Sequence, residues 1–260
     1  MFIVALRMLK PVNSLTLSRE GYPGPMDIAV SHSLLSAVAA GDVGAALRLH
    51  IPSPMVAFGR ADRIAKGYPA AVRAAQAHGF AAVERLAGGR AAVFHERTIA
   101  FSLTLPDLEP RAGITTRFEL IAGLMVEAFE SLGIDARIGE IPGEYCAGRW
   151  SVNVGGKVKV MGVGQRLVRG AAHVGGVIVV DDGERIRDVL IPVYRSLRLD
   201  WDPRTAGSLA DRSPGLTTEM ALDAVTTSFA RRFDLVEERL GEEIIASALQ
   251  LVDDHLPRVA

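Results

Sequence analysis

The sequence predicts an α+β fold: a central, mainly antiparallel sheet flanked by helices. Three observations carry that expectation. Strand-like and helix-like segments follow one another irregularly, without the repeated strand–helix–strand order of a parallel sheet. Residues 151–160, "SVNVGGKVKV", alternate apolar and polar residues on both sides of a glycine pair, an antiparallel hairpin signal. Residues 116–132 carry apolar side chains at helical spacing behind a Thr-x-x-Glu start. With 260 residues, 49% of them apolar, the chain can bury a full core.

In chain order, the N-terminal "MFIVALRMLK" is apolar but too short for a membrane span, and it lacks the charged start and small-residue cleavage site of a signal peptide. Residues 26–40 read as a helix, with Ile28, Leu34, Leu35 and Val38 on its apolar face and Gly41 ending it. "ALRLHI" and "MVAF" read as short strands around Pro52 and Pro54. Residues 69–78 suit an Ala-rich helix stopped by Gly79, and residues 83–105 hold a glycine turn at 88–89 and a strand at "IAFSLTL". In 116–132, Thr116 and Glu119 form a capping box, and Gly133 stands where a left-handed cap is expected. "HVGGVIVV" reads as a buried strand, and 184–191 as a short helix cut off near Pro192. The tail, 217–255, reads as two helices with a break around Gly241. "RSPGLT" at 212–217 is the best internal boundary. It divides a domain of residues 1–212 from a helical segment 213–260 packed on it, or is a loop within one domain.

The net charge is −1, and no basic block is present, which points away from nucleic acid and from anionic membrane surfaces. The single cysteine, Cys146, cannot form an internal disulfide, which fits a reducing compartment. The expectation is a soluble cytoplasmic protein.

The hairpin register separates two lysines. A two-residue Gly155–Gly156 loop would set valines opposite lysines. A three-residue loop, Gly155–Gly156–Lys157, pairs Val154 with Val158 and Val152 with Val160, and sets Asn153 opposite Lys159 on the other face. The three-residue loop is the better pattern, placing Lys157 in the turn and Lys159 in mid-strand. Two readings of Lys159 compete: an outward lysine of an edge strand, or a functional ammonium group. Cys146 is either a small core residue or a reactive thiol. Its setting, "PGEYCAG", is a polar, glycine-rich loop and not an apolar run. A thiol near a cation ionises more readily, and a thiolate beside a cation is how covalent acyl transfer is set up.

"RLAGGRAAVFHE" at 85–96 is a second constellation. Gly88 and Gly89 let backbone approach a ligand closely, and Arg85 and Arg90 can bind an anion or carbonyl. An ordinary hairpin turn with surface arginines is the competing reading. No Gly-Lys-Ser/Thr or Gly-x-Gly-x-x-Gly is present in it, and His95 has no second histidine at metal spacing. "AFGRAD" at 57–62 adds Arg60 directly after a strand, at a pocket edge or in a solvated turn.

Taken together, "AFGR" at 57–60, "RLAGGRAAVFH" at 85–95 and "KVMGVGQR" at 159–166 resemble the superfamily of lipoate–protein ligases, biotin ligases and octanoyltransferases, in that order and spacing, over roughly residues 25–255. The resemblance implies that Gly88, Gly89, Arg90, Ala91 and His95 belong to the loop holding the acyl chain, with Arg60, Arg85, Gly162 and Gln165 as further substrate-binding positions. It also implies that Lys159 contacts the activated carbonyl. Ligases of this group typically show Asn-Asp in "GRND" before the lysine, where this chain has Trp150 and Ser151 in "GRWS". "GEYCAG" at 143–148 is similar to the "GSYCPG"-like motif of the cysteine-dependent amidotransferase branch, which would make Cys146 the nucleophile.

What the resemblance implies is an acyltransferase that moves an octanoyl or lipoyl group onto the lysine of a lipoyl domain through a Cys146 thioester. Lys159 would polarise the carbonyl and shuttle the proton, and backbone N–H groups near Gly162–Gly164 would face the oxyanion. Val93, Phe94 and the valine strands would wall the acyl tunnel. No cofactor is required for that route, and no metal. The implied partners are the E2 subunits of 2-oxoacid dehydrogenases, the glycine-cleavage H protein, and acyl carrier protein as a donor. Two alternatives stand beside it: an ATP- and Mg²⁺-dependent lipoate–protein ligase forming an adenylate, and a non-catalytic domain that binds acylated carriers. An esterase is disfavoured, because no Gly-x-Ser-x-Gly is present.

Overall fold

Residues 12–259 are described by the computed structural model. The N-terminal stretch read above as too short for a span, residues 1–10, lies outside them. Among the described residues no helix is long and apolar enough to cross a membrane.

The described residues begin with β1 (Ser14–Ser18), α1 (Gly24–Ala40), β2 (Ala46–His50) and β3 (Met55–Phe58). Then come α2 (Arg60–Arg63), α3 (Tyr68–Ala77), β4 (Ala81–Glu84), β5 (Ala92–Phe94) and β6 (Thr98–Asp107). The middle holds α4 (Ile114–Ser131), β7 (Ala136–Ile138), β8 (Val152–Val154), β9 (Val158–Val168) and β10 (Gly170–Val179). It closes with α5 (Gly183–Leu197), α6 (Thr218–Ala230), β11 (Asp234–Glu237) and α7 (Glu242–Leu251). Eight strands form one sheet in the order β11-β1-β2-β6-β10-β9-β8-β7, and β4-β3-β5 form a second. Five of the seven pairings in the large sheet are antiparallel, and the two involving β1 are parallel. The fold is α+β with a mainly antiparallel sheet, as the sequence pattern predicts.

Two apolar layers hold it. Leu47, Leu49, Phe101, Leu103, Val174 and Ile178 of the large sheet bury against Ile121, Leu124, Met125 and Phe129 of α4 and Phe229 of α6. Val56 and Phe58 of the small sheet bury against Tyr68 and Val72 of α3 and Ile186, Val189, Leu190 and Val193 of α5. The cavity described below lies where the two layers meet. Residues after 212 share the first layer: Val225 and Phe229 of α6 pack in it, and β11 pairs in parallel with β1.

The structure departs from four local expectations. Helix α4 starts at Ile114 behind Gly113 with no side-chain cap, so Thr116 and Glu119 lie inside it and form no capping box. The reason is Arg117, whose guanidinium is buried and reaches Asp107, the Pro110 carbonyl and, at 2.9 Å, Gln165 Oε1. Those bonds tie the preceding turn to the helix and extend it. Helix α5 runs through Pro192 to Leu197. Proline removes one ladder bond, but Val193, Tyr194 and Leu197 continue the buried stripe beyond it. The tail is not two helices alone, because β11 stands between them and satisfies the outer backbone edge of β1. Gly241 does start α7, as its N-cap.

The fourth departure is in the hairpin. Its three-residue loop is present, with Val154 opposite Val158 and Asn153 opposite Lys159. Val152, however, faces Met161 and not Val160, because a bulge shifts the register. There the Lys159 backbone also bridges Ala206 and accepts the Gly207 N–H, which draws β9 out of simple pairing. Lys157 is exposed in the turn and Lys159 is buried. The hairpin is internal to the sheet, since β7 covers β8, so Lys159 is no edge-strand lysine.

Candidate active site

Three segments converge on a cavity of about 390 Å³: the β4–β5 loop with Gly88 and Gly89, the β7–β8 loop with Cys146, and β9 with Lys159. Its apolar side includes Ala92, Phe94, Phe118, Trp150, Val163 and Val177. The rings of Phe118 and Trp150 stack with centroids 6.2 Å apart.

Cys146 is one of three non-glycine residues with positive φ among the described residues, at +44°. Such backbone persists only where surrounding contacts impose it, and here they are evident. Glu144, two residues earlier, is a buried anchor. Its Oε1 accepts from Ser151 Oγ (2.7 Å), Gly148 N–H (3.2 Å) and Lys159 Nζ (3.0 Å), and its Oε2 accepts from Ile141 N–H (3.1 Å). Lys159 is 1% exposed. Its Nζ also donates to the carbonyls of Tyr145 (3.0 Å) and Cys146 (2.8 Å), and lies 4.9 Å from the Tyr145 ring centre. The ammonium's three protons are thus all engaged by the loop that carries the thiol.

The half-buried thiol faces the glycine loop. Cys146 Sγ accepts the Arg90 backbone N–H at 3.1 Å. Gly89 has φ +113°, and a Cβ there would lie 3.0 Å from Cys146 Sγ and 3.1 Å from Arg85 Nη1, so the close approach requires glycine. A Cβ on Gly59 of "AFGR" would fall 1.8 Å from the Gly89 carbonyl oxygen, so this glycine lets the loop sit down on β3. Arg85 Nη1 donates to the Arg90 carbonyl (2.9 Å), bracing the same turn. Gln165 lines the cavity, donating to the Ile114 carbonyl (2.8 Å) while its Oε1 takes the Arg117 bond.

Of the positions singled out in the sequence, Arg85, Gly88, Gly89, Cys146, Lys159, Gly162 and Gln165 line this cavity. Arg60 does not; it starts α2 and faces a surface cleft of about 590 Å³ with Arg63, Glu84 and Arg166, which adjoins the cavity through Arg85, Gly88 and Gln165. The Arg90 side chain turns away to Asp62 (3.2 Å), leaving its backbone N–H at the thiol. Ala91 is buried, and its carbonyl accepts from Tyr194 Oη (3.1 Å). His95 is fully buried outside the cavity, and burial together with the Arg185 charge pushes its pKa down to about 4. Phe94 lines the cavity, whereas Val93 is packed in the second apolar layer. Gly162 and Gly164 pair with Val177 and Gly175 of β10, and the N–H that bonds the sulfur is Arg90's.

Sequence reasoning passed over Glu144, Arg117 and Phe118. Glu144 was visible only as one letter of "GEYCAG"; its partners Ser151 and Lys159 are seven and fifteen residues away and meet it through the loop's fold. Burial raises the phenol pKa of Tyr145, with Cys146 and Glu144 adding to the rise, so this ring stays neutral under the ammonium. Among the described residues no three His, Cys, Asp or Glu side chains gather as a metal-ligand set.

A glycine loop, a loop thiol and a buried lysine thus surround one largely apolar cavity on a mainly antiparallel sheet. The model of the lipoyl protein ligase A/B catalytic domain matches residues 24–230, and the chain belongs to that family. It is similar to the octanoyl-[GcvH]:protein N-octanoyltransferase of Geobacillus kaustophilus, at 27% identity over 236 residues covering 88% of this chain and 82% of that protein. It is also similar to the lipoyl-[GcvH]:protein N-lipoyltransferase of Listeria monocytogenes, at 29% identity over 150 residues, 52% of each chain. Among solved structures, a lipoate-protein ligase A bound with ATP superposes with a TM-score of 0.74 at 19% identity, covering 92% of this chain and 94% of that one. A lipoate protein ligase of Thermoplasma acidophilum gives 0.70 at 20% identity, covering 93% and 92%. These structures share the fold.

Proposed function

We propose that the protein transfers an octanoyl or lipoyl group between carrier proteins through a thioester on Cys146. The observation that carries this reading is the placement of the Cys146 sulfur. It sits at the apolar cavity, within 3.1 Å of a glycine-loop N–H, on a loop whose own carbonyl binds Lys159 at 2.8 Å. In the first half-reaction the sulfur attacks the acyl carbonyl of the donor. A C–S bond forms, the bond to the donor's nitrogen or sulfur breaks, and the leaving group takes up the thiol proton, while the Lys159 ammonium holds the thiol loop in place through the carbonyls of residues 145 and 146. In the second, the acceptor lysine amine attacks the thioester. A C–N bond forms, the C–S bond breaks, and the amine's proton returns to the sulfur. The Arg90 N–H, which already bonds the sulfur, is the donor assigned to the developing negative charge. Acyl exchange of this kind needs no ATP, since the acyl group arrives already bonded to a carrier.

The relatives named above act on the glycine-cleavage H protein, which makes that protein the favoured donor here and lipoyl domains of E2 subunits the favoured acceptors. The donor set beside Lys159 also favours a route without a nucleotide. The one carboxylate there, Glu144, is saturated by four hydrogen-bond donors, and Ser151 and Trp150 offer no further carboxylate for Mg²⁺. The test is intact-mass spectrometry after mixing with octanoylated H protein. A hydroxylamine-sensitive octanoyl adduct, absent in Cys146→Ser, is expected. Lipoate-dependent ATP–pyrophosphate exchange that persists in Cys146→Ser would establish the ligase reading instead. Lipoylation unaffected by loss of both Cys146 and Lys159 would establish a carrier-binding domain.

A further inference from the structure

We propose that Glu144 is the positioning residue of the site. It supplies the fixed negative charge that sets Lys159 at the Cys146 end of the cavity, and Ser151 beside it marks a second position from which the same charge can act. The inference rests on the acyl-transfer reading only for its activity readout.

The geometry is specific. Glu144 and Lys159 have side chains 0% and 1% exposed, and no other carboxylate pairs with this ammonium among the described residues. A buried ammonium requires a counter-charge and filled hydrogen bonds. Glu144 Oε1 supplies the charge at 3.0 Å, and the carbonyls of residues 145 and 146 fill the remaining bonds. The same carboxylate gathers Ile141 N–H, Gly148 N–H and Ser151 Oγ, closing the loop 141–151 around the thiol. One group therefore fixes both members of the Cys–Lys pair, and it does so without lining the cavity. It acts through Lys159 and not on the acyl group.

Ser151 Oγ lies 2.7 Å from Glu144 Oε1 as its donor. Hydroxyl and ammonium thus donate to the same carboxylate oxygen. Exchanging acid and hydroxyl, with a hydroxyl at 144 and an acid at 151, keeps one negative charge in the buried cluster and keeps an acid–hydroxyl pair.

The experiment compares wild type, Glu144→Gln, Glu144→Ser and the double variant Glu144→Ser/Ser151→Asp, with octanoylated H protein as donor and an isolated lipoyl domain as acceptor. Both single variants are expected to lower kcat by about a hundredfold, the scale of a misplaced catalytic group, with KM for either carrier unchanged. The double variant is expected to recover kcat to within about tenfold of wild type. Wild-type kcat in either single variant overturns the inference. So does a folded double variant no faster than Glu144→Ser. If the single variants do not fold, the double variant decides: folded and active supports the inference, unfolded or inactive overturns it. If wild type itself gives no Cys146 adduct, the acyl-enzyme reading has failed separately. The Glu144 inference is then read from urea midpoints, which must fall in the single variants and recover in the double.

Discussion

The sulfur of Cys146 accepts the Arg90 backbone N–H at 3.1 Å, so the thiol loop and the glycine loop touch through a polar contact and not only across empty space. The contact explains why a glycine pair belongs opposite the cysteine. A side chain at 89 would push against the sulfur and against Arg85 together. Two loops far apart in sequence are thereby made one surface, with the cavity behind it.

Gly89→Ala is expected to slow acylation of Cys146 by about a hundredfold, since a displacement on the scale of an ångström at a reacting atom has that effect. The left-handed backbone adds about 1–3 kcal/mol of strain. Gly79→Ala is the control: its φ is +78°, but nothing lies within 4 Å of the added Cβ. It should cost similar stability and leave acylation unchanged. Paired urea melts and adduct-formation rates separate steric crowding at the thiol from backbone strain.

Lys159→Met should destabilise the fold by about 3–5 kcal/mol, because it strands the buried Glu144 carboxylate without its counter-charge. Adding Glu144→Gln to it should restore much of that loss, since no buried charge then remains. A double variant no more stable than Lys159→Met would mean that the carboxylate is not the source of the cost. Chemical denaturation with a common m-value makes the comparison.

The large elements were legible because their signals are local. Period-2 valines gave the hairpin loop, helical spacing gave α1, α3 and α4, and left-handed Gly41, Gly79 and Gly133 stand just past those helices. Interactions at a distance overrode local rules elsewhere. Arg117 replaced the expected cap, a continuous buried stripe carried α5 past Pro192, and the open edge of β1 recruited β11. The strands β1, β4 and β7 are short and depend on such neighbours, so they left little trace in the sequence. In the site, motif order pointed to the cavity-lining glycines, the thiol and the lysine. It also gathered Arg60, which faces the adjoining cleft, and His95, which is buried outside the cavity. Glu144 escaped because hydrogen bonding and not spacing defines its place.

Stability should fall as pH is lowered from about 6.5. Burial, with the Arg48 charge adding, pushes the pKa of His173 down to about 3, and His95 sits at about 4. Both are neutral in the folded protein and take up protons near 6.5 once unfolded. The unfolded state therefore binds more protons between those values, so the stabilisation is fully present above 6.5 and is lost toward each folded pKa. Each group contributes a slope of about 1.4 kcal/mol per pH unit in its window. Removing the titration with His173→Gln should flatten the urea midpoint between pH 6 and pH 4 by about one group's share. A profile unchanged in shape would show that His173 does not carry the effect.

The stacked pair Phe118 and Trp150 should set the length of acyl chain the site accepts. Both rings are half-buried, both line the cavity, and they come from separate elements, α4 and the β7–β8 loop. Trp150 stands where the ligase pattern has Asn, so a ring fills space that a smaller side chain leaves open. Trp150→Ala removes that wall and unstacks Phe118. Each further methylene that the enlarged cavity buries is worth about 0.8 kcal/mol, or about fourfold in kcat/KM. The expected outcome is a shift of preference from octanoyl toward decanoyl and dodecanoyl carriers by about that factor per methylene, with Cys146 still the acylated residue. The measurement is competition between octanoyl- and dodecanoyl-loaded donors, read by intact mass. An unchanged ratio in Trp150→Ala would place the length limit at other walls of the cavity, such as Phe94, Val163 and Val177.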